Sequence, residues 1–182
     1  MSRNTNFRAL HDLGLAAWFG GTLANAVALN PAAGEAGHPS STGAVANVGW
    51  DRWTPVNAAA IGAHVAGSAG LLVADLPRVS AQRGVASMAT AKTALTLAAL
   101  GVTAYSRVLG KKVSEHTHVP AASGTEPEAM TPDHVAAAQR QLQLLQWAVP
   151  ALTGALVGVS AFAGEQQRAT EVHKGLAGRL LG

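Results

Sequence analysis

Four stretches of this chain are each about as long as the roughly 20 residues that an α-helix needs to cross a bilayer. A soluble helical bundle would carry a polar stripe along every helix, but residues 13–24 and 148–163 have no charged side chain on any face. The pattern therefore predicts an all-α fold, in which residues 1–182 form a single membrane domain and four helices run up and down as a transmembrane bundle. The expected spans are residues 9–29, 56–76, 88–109 and 144–163.

Composition narrows the functional classes. Apolar residues make up 48% of the chain and charged residues 13%, about half of the roughly 25% that is usual in soluble domains. The chain has no cysteine, which excludes disulfides and thiolate metal sites. Because the Lys and Arg residues form no dense basic patch, we expect no nucleic-acid partner. The expected partners are the lipid bilayer and either further copies of the chain or a larger membrane complex.

The first stretch allows a second interpretation. Arg3 and Arg8, an apolar run and the small residues "AVA" at 26–28 resemble a signal peptide. Asp12, at the start of the apolar run, argues against cleavage. The other three spans remain in either case.

Charges and aromatic residues predict the orientation. With the N-terminus in the cytoplasm, more Lys and Arg residues lie inside than outside, as the positive-inside rule requires, although the basic residues at 107–112 depart from it. Both termini are then cytoplasmic and the protein lies in the plasma membrane. The same orientation places four aromatic residues at the outer interface, where amphipathic rings are favoured: Trp50, Trp53, Tyr105 and Trp147.

Two segments outside the spans are read from their composition. Residues 30–55 and the polar segment 110–131 are expected to be outer loops, the second of them mobile. The sequence "TPDH" predicts a helix start with Thr131 as the N-cap and Pro132 in the first turn. This fourth helix would be about 35 residues, or roughly 50 Å, long, and it should extend beyond the membrane.

Small residues spaced four apart predict close contacts between helices, because they let backbones approach in lipid. The second and fourth stretches carry this spacing most clearly. The residues expected at these contacts are Gly62, Ala66, Gly70, Gly154 and Gly158.

The few polar residues inside the spans are the candidate functional groups. Asp12 and Lys92 lie roughly 6–8 Å from the cytoplasmic edge, so they can pair, with His11 and Asp75 at the same end. The pair either fixes the helix order, which we favour, or belongs to a proton or ion relay.

His64 lies deeper in the second span. We expect it to form a hydrogen bond within the bundle, to Asn25 or to a backbone carbonyl. Counting residues from the span ends separates His11 and His64 by more than about 10 Å, which excludes one haem between them.

The remaining histidines lie in the outer segments. Imidazole nitrogens suit Zn, Cu or Ni, and a neighbouring carboxylate can complete such a site. We expect no cofactor, and the alternative is a bound divalent metal ion. Its expected ligands are His38, Glu115, His116, His118 and His134.

Several quoted stretches resemble a group of uncharacterised actinobacterial four-helix integral membrane proteins: "HDLGLAAWFGG", "ANVGWDRWTPVNAAAIGAH", "AKTALTLAALGVTAYSRVLG" and "AAAQRQLQLLQWAVPALTGAL". This resemblance covers most of the chain and implies the four-helix fold, but it implies no activity and no functional residue. The opening pattern H-x-x-G-x-x-x-W-x-G-G is also similar to the first helix of copper-resistance D-type membrane proteins.

No recognisable catalytic motif occurs in the sequence. We therefore expect a multi-pass membrane protein that acts as a non-enzymatic accessory or oligomeric component. The alternative is a protein that handles a metal ion or a proton, with the outer histidines for capture and the inner Asp12 and Lys92 for release.

Overall fold

The computed structural model describes residues 4–81, 83–116 and 119–165. The fold is all-helical, with 86% helix and no β-strand among the residues described. The elements are α1 (Thr5–Ala24), a π-helical turn (Asn25–Leu29), α2 (Asn30–Gly34), α3 (Pro39–Ala81), α4 (Arg83–Ser114) and α5 (Asp133–Glu165).

Three of these helices are long and apolar enough to cross a membrane: Pro39–Pro77, Gly84–Ser114 and Asp133–Gly164. Their most apolar windows are only 17%, 6% and 22% buried. Large side chains such as Leu97, Leu144 and Phe162 are at least 63% exposed, whereas His11 and His64 are fully buried. So many exposed large apolar side chains are unusual in a soluble protein and match helices whose outer faces contact lipid.

Glycines determine how closely α1 and α3 approach. A Cβ on Gly14 would lie 2.5 Å from the Ala60 carbonyl oxygen and the His64 nitrogen. A Cβ on Gly67 would in turn lie 2.6 Å from the Phe7 carbonyl oxygen and would overlap the His11 nitrogen. The two backbones are therefore in direct contact, as small residues permit between helices in lipid. In addition, α1 contacts α5, and α4 contacts both α3 and α5.

Two apolar layers hold the helices together. The central layer consists of Trp18, Ala60, Ala99 and Val149, one from each of the four long helices. A second layer joins the end of α4 to the start of α5 and contains Leu109, Val113, Val135 and Ala138.

The expected outer loop at residues 30–55 is largely helical. α3 begins at Pro39 and continues through Pro55 without a break, so that it is roughly 65 Å long. Proline is tolerated at a helix start because its missing N–H would have no partner there. Next to Pro55, the Thr54 hydroxyl donates to the Trp50 carbonyl at 2.8 Å. Gly- and Pro-rich composition was therefore a poor guide to this segment.

The expected mobile loop at residues 110–131 is helical at its start, because α4 continues to Ser114, and residues 119–131 are attached to the helices. The Gly124 N–H donates to the Asn30 carbonyl at 3.0 Å and the Ala121 N–H to the Pro39 carbonyl at 3.3 Å. Thr131 does not cap α5 through its side chain as expected. Its hydroxyl accepts from the Glu128 N–H and donates to the Pro120 carbonyl, and α5 begins two residues later at Asp133.

The expected glycine contacts are divided between two faces. A Cβ on Gly154 would touch the Phe19 ring at 3.1 Å, and one on Gly70 would overlap the Phe7 ring. By contrast, a Cβ on Gly62 or Gly158 would have no atom within 4 Å, and Ala66 is exposed. The expectation that these three residues contact another helix of the chain was wrong, because Gly67 rather than Ala66 turns toward α1.

Candidate functional site

The four polar residues expected at the inner end line one cavity of about 430 Å³. His11 and Asp12 come from α1, Asp75 from α3 and Lys92 from α4, while α5 closes the cavity with Ser160. The sequence thus predicted this cluster from distance along the helices alone. Every long helix contributes to it, so its geometry depends on how all of them pack.

His11 is the centre of the cluster. Its Nδ1 lies 2.7 Å from a carboxylate oxygen of Asp12, and the two side chains are 2% and 60% exposed. The contact of Gly67 with the α1 backbone brings His64 beside it, with the two ring centroids 4.7 Å apart. His64 Nδ1 lies 3.4 Å from the His11 carbonyl oxygen, and its Nε2 lies 3.3 Å from the Thr96 hydroxyl. A polar chain therefore leads from the cavity into the core.

The expected separation of the two histidines was wrong. Hydropathy had placed His64 nearer the outer end of its span, but the contacts of Gly14 and Gly67 set the offset between α1 and α3 and bring both rings to one level. The expected carbonyl partner of His64 belongs to His11, whereas Asn25 lies about three turns beyond Gly14 along α1. One haem between the rings is still excluded, because tilted rings 4.7 Å apart leave no space for a macrocycle.

The expected partnership of Asp12 and Lys92 takes a different form. The direct partner of Asp12 is His11, and no ion pair within 4 Å joins Asp12 to Lys92 in the part of the chain that the structure describes. Lys92 lines the same cavity, where the charges of both Asp12 and Asp75 act on it. Lys92 therefore interacts electrostatically with both Asp12 and Asp75 instead of forming one ion pair with Asp12.

A second cavity, which the sequence did not predict, lies between α3, α4 and α5 at the opposite end. Its volume is about 330 Å³, and its wall includes the Trp50 and Trp53 rings and the aliphatic side chains of Ile61, Leu100 and Val149. The central apolar layer separates it from the histidine pair. The spacing of Trp50, Trp53 and Ile61 on one face of a helix could have indicated it, had residues 39–55 been read as helical.

A hydrogen-bond network supports the wall of this outer cavity. Asn30, which is 1% exposed, accepts from the Trp50 indole N–H at 3.0 Å and donates to the Gln146 side chain at 2.8 Å. The Thr125 hydroxyl donates to the same Gln146 oxygen at 3.3 Å. The π-helical turn Asn25–Leu29 directly precedes Asn30 and contains one residue more than an α-helical turn. This extra residue places Asn30 in the network.

The outer histidines are only partly brought together. His116 Nε2 and His134 Nε2 lie 3.3 Å apart, and His116 Nδ1 faces the Lys112 carbonyl oxygen at 3.1 Å. His38 instead contacts Ser40 at 2.8 Å. His118 lies outside the described residues. Glu115 directly follows α4, and its backbone N–H donates to the Lys111 carbonyl at 3.1 Å. Within the described ranges no three metal-binding side chains form a cluster.

The Nε2 separation of His116 and His134 has a chemical meaning. Two imidazole nitrogens bound to one tetrahedral zinc, each at about 2.0–2.1 Å, lie roughly 3.3 Å apart. Donation from Nδ1 of His116 to a backbone carbonyl fixes the tautomer that leaves its Nε2 lone pair free. The pair can therefore hold a metal ion or share one proton.

No family model matches this chain, and neither does any curated protein or solved structure. A proposal for the function therefore rests on the geometry of the two cavities and of the histidine pairs.

Proposed function

We propose that this chain is a four-span integral protein of the plasma membrane, an up-down bundle with both termini in the cytoplasm, and that it acts as a non-enzymatic component of the membrane. The observation that carries the proposal is the exposure of large aliphatic side chains along the long apolar helices, while His11 and His64 are buried between the helices. The similarity to actinobacterial four-helix proteins belongs to this proposal and rests on the quoted stretches.

The proposal includes α1 as the first of the four membrane spans. α1 packs along both α3 and α5, so it shares their environment. It turns Leu13, 72% exposed, outward, whereas His11 and Thr22 face the interior. A helix with this distribution suits lipid on one side and a polar interior on the other.

Cysteine labelling tests the orientation, because the chain has no cysteine of its own. Met130, 80% exposed in the segment before α5, and the exposed Ser80 near the end of α3 lie at opposite ends. In intact cells an impermeant thiol reagent should label Met130→Cys and should label Ser80→Cys only after permeabilisation. Labelling of Ser80→Cys alone in intact cells would reverse the proposed topology.

Assembly with other chains is part of the same proposal. A Cβ on Gly62 or Gly158 would meet no atom of the described residues within 4 Å, and a helix from a second copy or from a larger membrane complex fits against such small residues. Native mass spectrometry from membrane-derived vesicles should find a complex larger than one chain, and a monomer at all concentrations would oppose this part.

A second candidate function, proton or metal-ion handling, is favoured by two histidine pairs. At the inner end, Asp12 and His11 can share a proton, and the His64 ring lies beside them, in contact with the His11 carbonyl and the Thr96 hydroxyl. At the outer end, His116 and His134 have the nitrogen separation that a divalent metal requires. Because the central apolar layer lies beyond His64, we place proton exchange at the inner side only.

Nitrogen NMR of histidine-labelled protein tests the inner pair. The ring-nitrogen signals of His11 and His64, assigned with the His11→Gln and His64→Gln variants, should titrate as a coupled pair. Asp12→Asn should change both titrations, whereas Asp51→Asn, at the outer end, should change neither. Two independent titrations with no response to Asp12→Asn would leave the pair with a structural role.

A further inference from the structure

We infer that the outer cavity between α3, α4 and α5 is a binding site for a small, neutral and mainly apolar compound that carries a hydroxyl or carbonyl group. Its volume of about 330 Å³ falls in the range of small-molecule sites, roughly 300–1,000 Å³. The apolar wall suits the body of such a molecule. This inference does not depend on the orientation in the membrane or on the function proposed above.

The charge of the wall argues for a neutral ligand. Asp51 and Arg107 are the charged side chains that line the cavity, and they pair with each other at 3.5 Å. An ionised ligand would lose its hydration without gaining a free counter-charge. The remaining polar groups are amides, hydroxyls and indole N–H groups, which bind neutral donors and acceptors.

Unpartnered polar atoms in the wall argue for a polar group on the ligand. Asn47 Nδ2, Trp53 Nε1, Asn57 Oδ1 and Thr103 Oγ1 are buried, yet none has a hydrogen-bond partner in the described structure. Buried polar atoms are normally paired. All four residues line this cavity, so a hydroxyl or carbonyl bound there would offer the missing partner after a small side-chain rotation.

Trp53 provides the handle for a test. A Cβ on Gly21 of α1 would overlap the Trp53 indole ring, so Gly21→Ala should push that ring into the cavity. The neighbouring glycine is a matched control, because a Cβ on Gly20 would have no atom within 4 Å. A second variant, Asn57→Leu, removes an unpartnered amide and keeps the branched shape and heavy-atom count of the side chain.

The probes are 2-naphthol, 2-methylnaphthalene, which lacks the hydroxyl, and the anion 2-naphthoate. Equilibrium dialysis against full-length protein in nanodiscs, corrected with empty nanodiscs, should show saturable binding in the order naphthol, methylnaphthalene, naphthoate. Asn57→Leu should weaken naphthol binding by roughly three- to tenfold, as expected for one hydrogen bond, and should leave methylnaphthalene binding unchanged.

The Gly21→Ala variant should lose binding of both neutral probes, whereas Gly20→Ala should bind them as the unchanged chain does. Equal binding of naphthol and methylnaphthalene would overturn the role of the polar wall. Binding that Gly21→Ala does not reduce would overturn the location. No saturable binding above that of empty nanodiscs would overturn the proposal that the cavity is a binding site.

Discussion

Replacing Gly67 with alanine tests how the two buried histidines come together. The added Cβ would lie 2.6 Å from the Phe7 carbonyl oxygen, whereas ordinary contacts begin near 3.4 Å. The difference means that α1 and α3 must separate by about 0.8 Å. The obstructing atoms belong to the backbone of α1 and cannot rotate away, so the strain extends along the helix pair.

The expected cost has two parts. Overpacking at a close contact costs roughly 1–3 kcal/mol, and lengthening the 3.4 Å contact from His64 to the His11 carbonyl removes up to about 1 kcal/mol more. Gly67→Ala should therefore lower the free energy of unfolding by roughly 1–4 kcal/mol. Unfolding in mixed micelles, followed by circular dichroism, measures this change.

Gly62→Ala on the same helix is the matched control, measured in micelles that hold single chains, because the proposed assembly face includes Gly62. A Cβ there would have no atom within 4 Å, and alanine favours a helix over glycine by up to about 1 kcal/mol. This variant should be as stable as the unchanged chain or slightly more stable. If Gly67→Ala were as stable as Gly62→Ala, the contact between α1 and α3 would be incorrectly described, together with the position of His64 beside His11.

Two further predictions concern the polar clusters. In a double-mutant cycle of unfolding free energies, Asp12→Asn and His11→Gln should show a coupling energy of about 1 kcal/mol or more, as residues in contact do. The coupling energy between Asp12→Asn and Lys92→Met should be smaller. A larger coupling to Lys92 would mean that the Asp12–Lys92 ion pair is the main interaction. Calorimetric titration with Zn²⁺ should find one ion per chain, lost in both His116→Gln and His134→Gln, and binding that survives either change would exclude this pair as the site.

Sequence alone determined the features that depend on local periodicity and length. The spacing of apolar residues predicted helices at all four stretches, since backbone groups in lipid must pair within their own segment. Distance from the helix ends was enough to bring His11, Asp12, Asp75 and Lys92 to one cavity. Each of these inferences uses neighbours along one helix and needs no knowledge of how the helices meet.

Only the tertiary structure decided the features that depend on offsets between helices. Hydropathy misplaced His64 because the Ala- and Gly-rich segment around it has no sharp apolar boundary, and the contacts at Gly14 and Gly67 fix the level instead. Residues 39–55 read as a loop because glycine and proline disfavour helix locally. Contacts of that segment with α2, including the bond from the Trp50 indole N–H to Asn30, and with the 119–131 segment outweigh this preference. The outer cavity follows from the same extension, since its walls exist only where α3, α4 and α5 face one another.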